Sequence, residues 1–278
     1  MNILILGSTG YIGRKLANYF KREHNIITSA RNSKNIENNV DIVFENLESF
    51  EILNYLITYK VDYIFYALNS YYKNPSEKEI LEMNKVNYYF PLEILEVLNR
   101  ENLNTKILFF STYFDHITVN IESEEYAKSK KKLTQYLKHE NSFNNFKSLE
   151  ISDTFGTWDT RNKIFNLLLE NIVNNKVLEI KNPDALVNLI HVDELLVKIN
   201  DFIFNEKKFE SFYSLFSITL NNLNKLIFNL YSKESINFDD LFQTETRFDV
   251  SNSTYGLSTI DDISNILLNK KYLEYLKK

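Results

Sequence analysis

The sequence predicts an α/β fold in which a doubly wound parallel sheet is joined by a smaller carboxy-terminal α/β region. Three observations carry this expectation. Short apolar runs alternate with amphipathic stretches of helical length through the first half of the chain. Three of the five glycines in 278 residues stand together in GSTGYIG, residues 7–13, directly after an apolar start. The alternation then changes character near residue 153.

Taken in chain order, ILIL at 3–6 is too short for a helix and has the continuous apolar character of a strand buried on both faces. Residues 12–22 follow with helical spacing of apolar positions. IITS at 26–29, IVF at 42–44, YIFYA at 63–67, ILFF at 107–110 and SLEI at 148–151 are β-branched and aromatic runs of strand length. Between them, residues 50–60, 90–99 and 124–139 have the amphipathic pattern of helices. Repeated strand–helix units with short links give parallel strands, right-handed crossovers and a ligand edge at the strands' carboxyl ends.

Beyond 153, KIFNLLLENIVNN at 163–175 reads as an amphipathic helix, VLEI at 177–180 as a short strand and Pro183–Asp184 as a turn. LIHVDELLVKINDFI at 189–203 reads as strand into helix, with Asp193 capping the helix start. The tail from about 210 mixes short strands and helices.

Composition narrows the function classes. A net charge of −5 and 25% charged residues give no general basic field, so a nucleic-acid partner is disfavoured. The absence of cysteine excludes disulfides, thiolate metal sites and cysteine nucleophiles. His24, His116, His139 and His191 are scattered without metal-ligand spacing, so no metal is expected. The apolar start is too short for a signal-peptide core, and no run reaches the roughly 20 apolar residues that cross a bilayer. A cytoplasmic protein without a membrane partner is the expectation.

The glycine turn supplies the first chemistry. Strand, then glycines at 7, 10 and 13, then helix is the context in which backbone N–H groups receive a dinucleotide's pyrophosphate. The first glycine permits the tight turn, the second a close approach of backbone to phosphate, and the third close packing of helix on sheet. At the end of the second strand, TSARNSK has Ala30 and Arg31 where a carboxylate would bind the NAD ribose. Arg31 would pair with a 2′-phosphate, which points to NADP(H).

A second motif is YAKSK, with Tyr126 and Lys130 four residues apart. YIGRK, Tyr11 to Lys15, has the same spacing but lies in the glycine turn's helix. Tyr126 instead opens a helix after the fifth strand, and the spacing of four puts Tyr126 and Lys130 on one helical face. KILFFSTYF supplies hydroxyls at Ser111 and Thr112 just beyond that strand.

These features resemble the extended short-chain dehydrogenase/reductase family, the NAD-dependent epimerase/dehydratase proteins, with their TGxxGxxG turn and YxxxK pair. Leu6 stands where that family has the leading Thr. VDYIFYALNS at 61–70, NYYFPLEILEVL at 87–98 and LIHVDEL at 189–195 resemble its fourth-strand motif, its Asn-led helix and its segment after the substrate loop. The resemblance implies a Rossmann-type sheet, with residues 1–153 and 185–205 binding the dinucleotide and 154–184 and 206–278 binding substrate. It implies cofactor contacts at Gly7, Ser8, Thr9, Gly10, Tyr11, Ile12, Gly13, Arg31, Asn46, Leu47, Ala67, Leu68, Asn87, Tyr126 and Lys130. It selects Thr112, Tyr126 and Lys130 as catalytic. A nearby ammonium favours phenolate, Tyr126 exchanges a proton with a carbonyl oxygen, and Thr112 holds that oxygen.

Ser70, Thr112, Tyr113, Asp153, Lys163 and Arg247 are the substrate-side expectations, with Lys163 and Arg247 aimed at a diphosphate. ISDTFGTWDT at 151–160 resembles the family's loop after strand six, with Asp153 where Asn is commoner. The family acts mostly on nucleotide-linked sugars. Its dehydratases carry an Asp-Glu pair after the Ser/Thr, where this chain has Tyr113 and Phe114. Its GDP-fucose-forming epimerase-reductases need a cysteine, and its 4-epimerases retain NAD through the missing ribose acid. The remaining expectation is NADPH-dependent reduction of the 4-keto group of a 6-deoxy or dideoxy nucleotide sugar for surface polysaccharide (lipopolysaccharide O-antigen) synthesis. STYF and NYYFPLEILE are most like CDP-abequose synthase and related 4-ketoreductases. Alternatives are a nucleotide-sugar 4-epimerase with tightly held NAD and a non-catalytic NADP-binding regulator. The family's dimers imply a homodimer through the helices near 90–100 and 124–139, although the apolar stripe PLEILEVL fits a core as well.

Overall fold

The structure is a computed structural model that describes residues 1–30, 41–44, 49–113, 124–214, 216–233, 242–244, 253–256 and 260–277. The chain divides into two compact units, 1–151 with 200–210, and 152–199 with 211–278.

In the first unit the elements are β1 (Asn2–Leu6), α1 (Tyr11–Phe20), β2 (Asn25–Ala30), β3 (Ile42–Val43), α2 (Ser49–Thr58), β4 (Tyr63–Tyr66), α3 (Glu77–Asn84), a wide π turn (Lys85–Tyr89), α4 (Phe90–Arg100), β5 (Lys106–Thr112), α5 (Glu124–His139) and β6 (Phe146–Ile151). The strands lie in the order β6-β5-β4-β1-β2-β3 and every neighbouring pair is parallel. The order reverses between β1 and β4, the position at which such sheets open a crevice at their carboxyl ends.

Alternation along the strands sorts the core into two layers. Leu4, Leu6, Ile64, Tyr66, Ile107 and Phe109 pack with Leu56 of α2, Ile94, Leu95 and Leu98 of α4, and Leu133 and Leu137 of α5. The intervening residues turn the other way: Phe65 meets Phe20 of α1 with ring centroids 5.1 Å apart, and the Tyr63 hydroxyl donates to the Ile203 carbonyl at 3.1 Å. The apolar stripe of PLEILEVL is therefore core. Pro91, Ile94, Leu95, Val97 and Leu98 are buried within the single chain, and Glu93, Glu96, Asn99 and Arg100 form the outer face of α4.

The helix α3 goes beyond the sequence expectations. Its signal is SEKE at 76–79, a reciprocal capping box: Ser76 Oγ accepts the Glu79 N–H and the Glu79 carboxylate accepts the Ser76 N–H at 2.8 Å.

The second unit carries β7 (Asp153–Phe155), α6 (Ile164–Val173), β8 (Leu186–Val187), β9 (Leu189–His191), α7 (Val192–Phe204), β10 (Phe209–Ser214), β11 (Phe216–Thr219), α8 (Leu220–Ser232), β12 (Phe242–Thr244), β13 (Ser253–Gly256), α9 (Ile260–Leu268) and α10 (Lys270–Leu276). The last turn of α7 and the first two residues of β10 belong to the first unit. Small sheets β12-β11-β8 and β7-β9 stand beside a helical core in which α6, α8, α9 and α10 contribute Phe165, Leu169, Leu226, Ile266 and Tyr272.

Two expectations are corrected here. VLEI forms no strand: Leu178 and Ile180 rest against the second unit's core and Val177 is 98% exposed, but among the described residues no strand pairs with the run. Asp193 lies inside the first turn of α7, and His191 precedes the helix and accepts the Asp193 N–H on Nδ1 at 3.4 Å. Among the described residues no helix is long and apolar enough to cross a membrane.

Candidate functional site

Between β1 and α1 the turn is shaped by backbone approach. Gly7 has φ of 89°, in the left-handed region that side chains avoid, and the Gly10 N–H donates to its carbonyl at 3.0 Å. A Cβ on Gly13 would lie 2.1 Å from the Gly7 carbonyl oxygen and 2.8 Å from Ser8 Cα. A Cβ on Gly7 would stand 3.0 Å from backbone atoms of Ala67 and Leu68, just after β4. Helix α1 and the ends of β1 and β4 are thus closer together than any side chain allows. Ser8 closes the third side: its hydroxyl donates to the Ser29 carbonyl at 2.8 Å and accepts the Ser29 N–H at 3.1 Å.

This cradle fits a pyrophosphate. No side-chain cap occupies the amino end of α1, and no acid stands in its first turn. Backbone N–H groups and the positive end of the helix dipole are left to an anion. Gly7, Ser8, Thr9, Gly10, Tyr11, Ile12 and Gly13 are the residues of this cradle, with Ala67 and Leu68 against it.

The loop after β4 is fixed by Asn87, which sits in the π turn. Its carboxamide oxygen accepts the Ser70 N–H at 3.0 Å, and its nitrogen donates to the Ser70 carbonyl at 2.8 Å and to Ser129 Oγ at 2.9 Å. Ser129 Oγ in turn donates to the Tyr126 carbonyl at 2.7 Å. A buried chain of four hydrogen bonds therefore joins the β4 loop to the first turn of α5. Asn87, expected at the cofactor, is 1% exposed and its side chain serves this scaffold. Ser70, expected at the substrate, has both backbone groups in the same network.

Tyr126, Lys130 and Thr134 recur every four residues and line one face of α5. That face lies on β5: Thr134 Oγ1 bonds Ser111 Oγ at 3.0 Å, and Lys130 Nζ donates to the Phe110 carbonyl at 3.2 Å. Lys130 is 8% exposed, so its ammonium is held at the strand end. Tyr126 lies one helical turn nearer the carboxyl edge, roughly 6 Å along the axis. Ser111 faces α5 through its structural pair with Thr134, and Thr112 is the last residue of β5.

Tyr113, expected at the substrate, is 1% exposed and part of the interior. Asp153 and Lys163 lie in the second unit and pair with each other, Nζ to Oδ1 at 2.7 Å. Arg31, Asn46, Leu47 and Arg247 lie outside the described residues. Sequence reading missed Tyr71, whose ring meets that of Tyr126 with centroids 5.3 Å apart and planes at 83°. It also missed Ser129 and Thr134, both legible as neighbours of Tyr126 and Lys130 on the same helix. Among the described residues no group of three His, Asp or Glu side chains could hold a metal.

Comparison with known proteins gives one family and many folds alike. The family described as "NAD dependent epimerase/dehydratase family" matches residues 3–212. The chain is similar in fold to a Thermotoga maritima UDP-glucose 4-epimerase with UDP-glucose, at TM-score 0.74 and 15% identity over 99% of each chain. It is similar to a Thermus thermophilus UDP-glucose 4-epimerase in complex with NAD, at TM-score 0.74 and 12% identity over 99% of each chain. It is also similar to a Bacillus anthracis dTDP-glucose 4,6-dehydratase in complex with NAD, at 0.69 and 14% over 100% of each.

Proposed function

The chain belongs to the NAD dependent epimerase/dehydratase family, and from that premise we propose that it reduces the 4-keto group of a nucleotide-linked 6-deoxy or dideoxy sugar with NADPH. The observation that carries the reading is the face of α5 on β5, where a buried Lys130 stands one turn behind Tyr126 at the strand's carboxyl end.

When bound, a nicotinamide cofactor supplies the hydride that a ketone carbon takes up. The chain's own residues manage the oxygen. Tyr126 gives its phenolic proton to the carbonyl oxygen as negative charge develops there. Lys130 stabilises the resulting phenolate, and its burial strengthens that interaction because little water screens it. Thr112 donates a hydrogen bond to the same oxygen and fixes its position. The glycine cradle receives the pyrophosphate, with Ala67 and Leu68 beside it.

NADPH is favoured over NADH by Arg31 and by the lack of an acid at the end of β2. Reduction is favoured over dehydration because Tyr113 occupies the place of a dehydratase acid. Asp153 and Lys163 remain the proposed contacts to the nucleotide sugar, and their ion pair leaves the lysine partly exposed. A second reading, a 4-epimerase with retained NAD, is favoured by the two epimerases of like fold.

Stoichiometry separates them. Incubation with CDP-, dTDP- and GDP-4-ketosugars should consume one NADPH per sugar reduced, whereas an epimerase recycles its cofactor. Tyr126→Phe should lower turnover by at least about 100-fold while cofactor affinity stays within about twofold. Full activity in Tyr126→Phe would remove the phenol from the reaction.

A further inference from the structure

We propose that Tyr71 is a specificity-determining residue of this site, an aromatic wall beside Tyr126 that selects deoxy sugars through apolar contact. The inference rests on the proposed function and deepens it.

Its starting point is a half-exposed aromatic ring beside the proposed proton donor. Tyr71 is 49% exposed, yet its ring stands nearly perpendicular to the ring of Tyr126 at 5.3 Å. The position is built on both sides. Before it, Ser70 is clamped through both backbone groups by the Asn87 carboxamide. After it, Tyr72 is hydrogen-bonded to Glu82 of α3 and to Ser70, the Glu82 carboxylate holding its phenol above the usual range. Glu82 belongs to the helix whose start is fixed by the Ser76–Glu79 box. A loop tethered on either side of one residue holds that residue's ring in place.

A ring fixed beside the proton donor meets whatever brings its carbonyl to Tyr126. An aromatic face carries negative potential, and the C–H bonds of a pyranose offer a matching positive face. This contact rewards apolar surface. A methyl or methylene where other sugars have hydroxymethyl or hydroxyl gains dispersion and loses no hydration. One such group is worth about 10-fold or more in a fitted apolar site.

The test titrates the 278-residue protein, wild type, Tyr71→Ala and Tyr71→Phe, with CDP, CDP-glucose and CDP-6-deoxyglucose, and with the dTDP series. Wild type should bind the 6-deoxy sugar about 10-fold more tightly than its glucose counterpart. Tyr71→Ala should bring that ratio close to one while the affinities for free nucleotide and NADPH stay within about twofold. Tyr71→Phe should keep the ratio, because the ring and not the hydroxyl makes the contact. An unchanged ratio in Tyr71→Ala, or equal losses for nucleotide and both sugars, overturns the role of Tyr71 and leaves the proposed reaction standing. Wild type binding none of these compounds overturns the reading of the site and this inference with it.

Discussion

Replacing Gly13 by alanine tests the cradle directly. The new methyl carbon would stand 2.1 Å from the Gly7 carbonyl oxygen, 2.8 Å from its carbon and 2.8 Å from Ser8 Cα. The closest of these is roughly 1 Å inside ordinary contact, and all three are backbone, so no side chain can swing aside. The turn cannot retreat either. Gly7 abuts the Ala67–Leu68 peptide, and Ser8 is tied to Ser29 through two hydrogen bonds. Overpacking against fixed neighbours costs about 3 kcal/mol, which corresponds to a fall in melting temperature of about 6–12 °C. A displacement of the turn by about 1 Å would also lower kcat/KM with NADPH about 100-fold. The control is Gly10→Ala, whose methyl meets only the Gly7 carbonyl oxygen at 3.3 Å. It should cost under about 1 kcal/mol of stability yet, on the proposed function, still weaken NADPH, because there the backbone at Gly10 approaches the pyrophosphate. Thermal denaturation and NADPH fluorescence titration read the two effects separately. A Gly13→Ala protein with the wild-type melting temperature and NADPH affinity would refute the claim that close approach of α1 to the turn requires this glycine.

Two further perturbations follow from the same geometry. Asn87→Asp keeps the acceptor for the Ser70 N–H but loses the donor to the Ser70 carbonyl and Ser129 Oγ. It should cost about 2–3 kcal/mol in urea denaturation, against about 1 kcal/mol for Ser129→Ala, and equal costs would contradict the central place of the carboxamide. Lys147, 4% exposed, donates to the carbonyls of Asn205 and Lys207 at 2.6 and 2.8 Å. Lys147→Met should cost about 2–4 kcal/mol by stranding those carbonyls, and a neutral result would show that water replaces the ammonium. Burial lowers the Lys147 pKa, so the unfolded chain holds the proton more tightly. The wild type should therefore gain stability relative to Lys147→Met as pH rises toward 10.5, the ordinary lysine value.

The sequence alone determined the features that depend on neighbours a few residues apart. The apolar runs, the glycine turn and the Tyr126–Lys130 spacing are local patterns, and the helix over 124–139 lies where its periodicity put it. The family follows from those same motifs. Even α3, which the apolar pattern left unread, was announced locally by Ser76 and Glu79.

Tertiary structure decided what depends on who stands opposite. VLEI has strand composition, but among the described residues no strand stands beside it to pair with. PLEILEVL could cover a sheet or a second subunit, and its burial under the strands settled the first role. The pairing of Ser111 with Thr134 joins β5 to α5 across 23 residues of chain, beyond the reach of any local pattern. Tyr71 and Tyr126 are 55 residues apart in the chain, so no window of sequence contains their contact. Periodicity records how a segment meets its own turn of helix or strand. The convergence of distant segments is set by the packing of the whole unit, because burial and hydrogen-bond satisfaction are settled jointly by every segment that meets there.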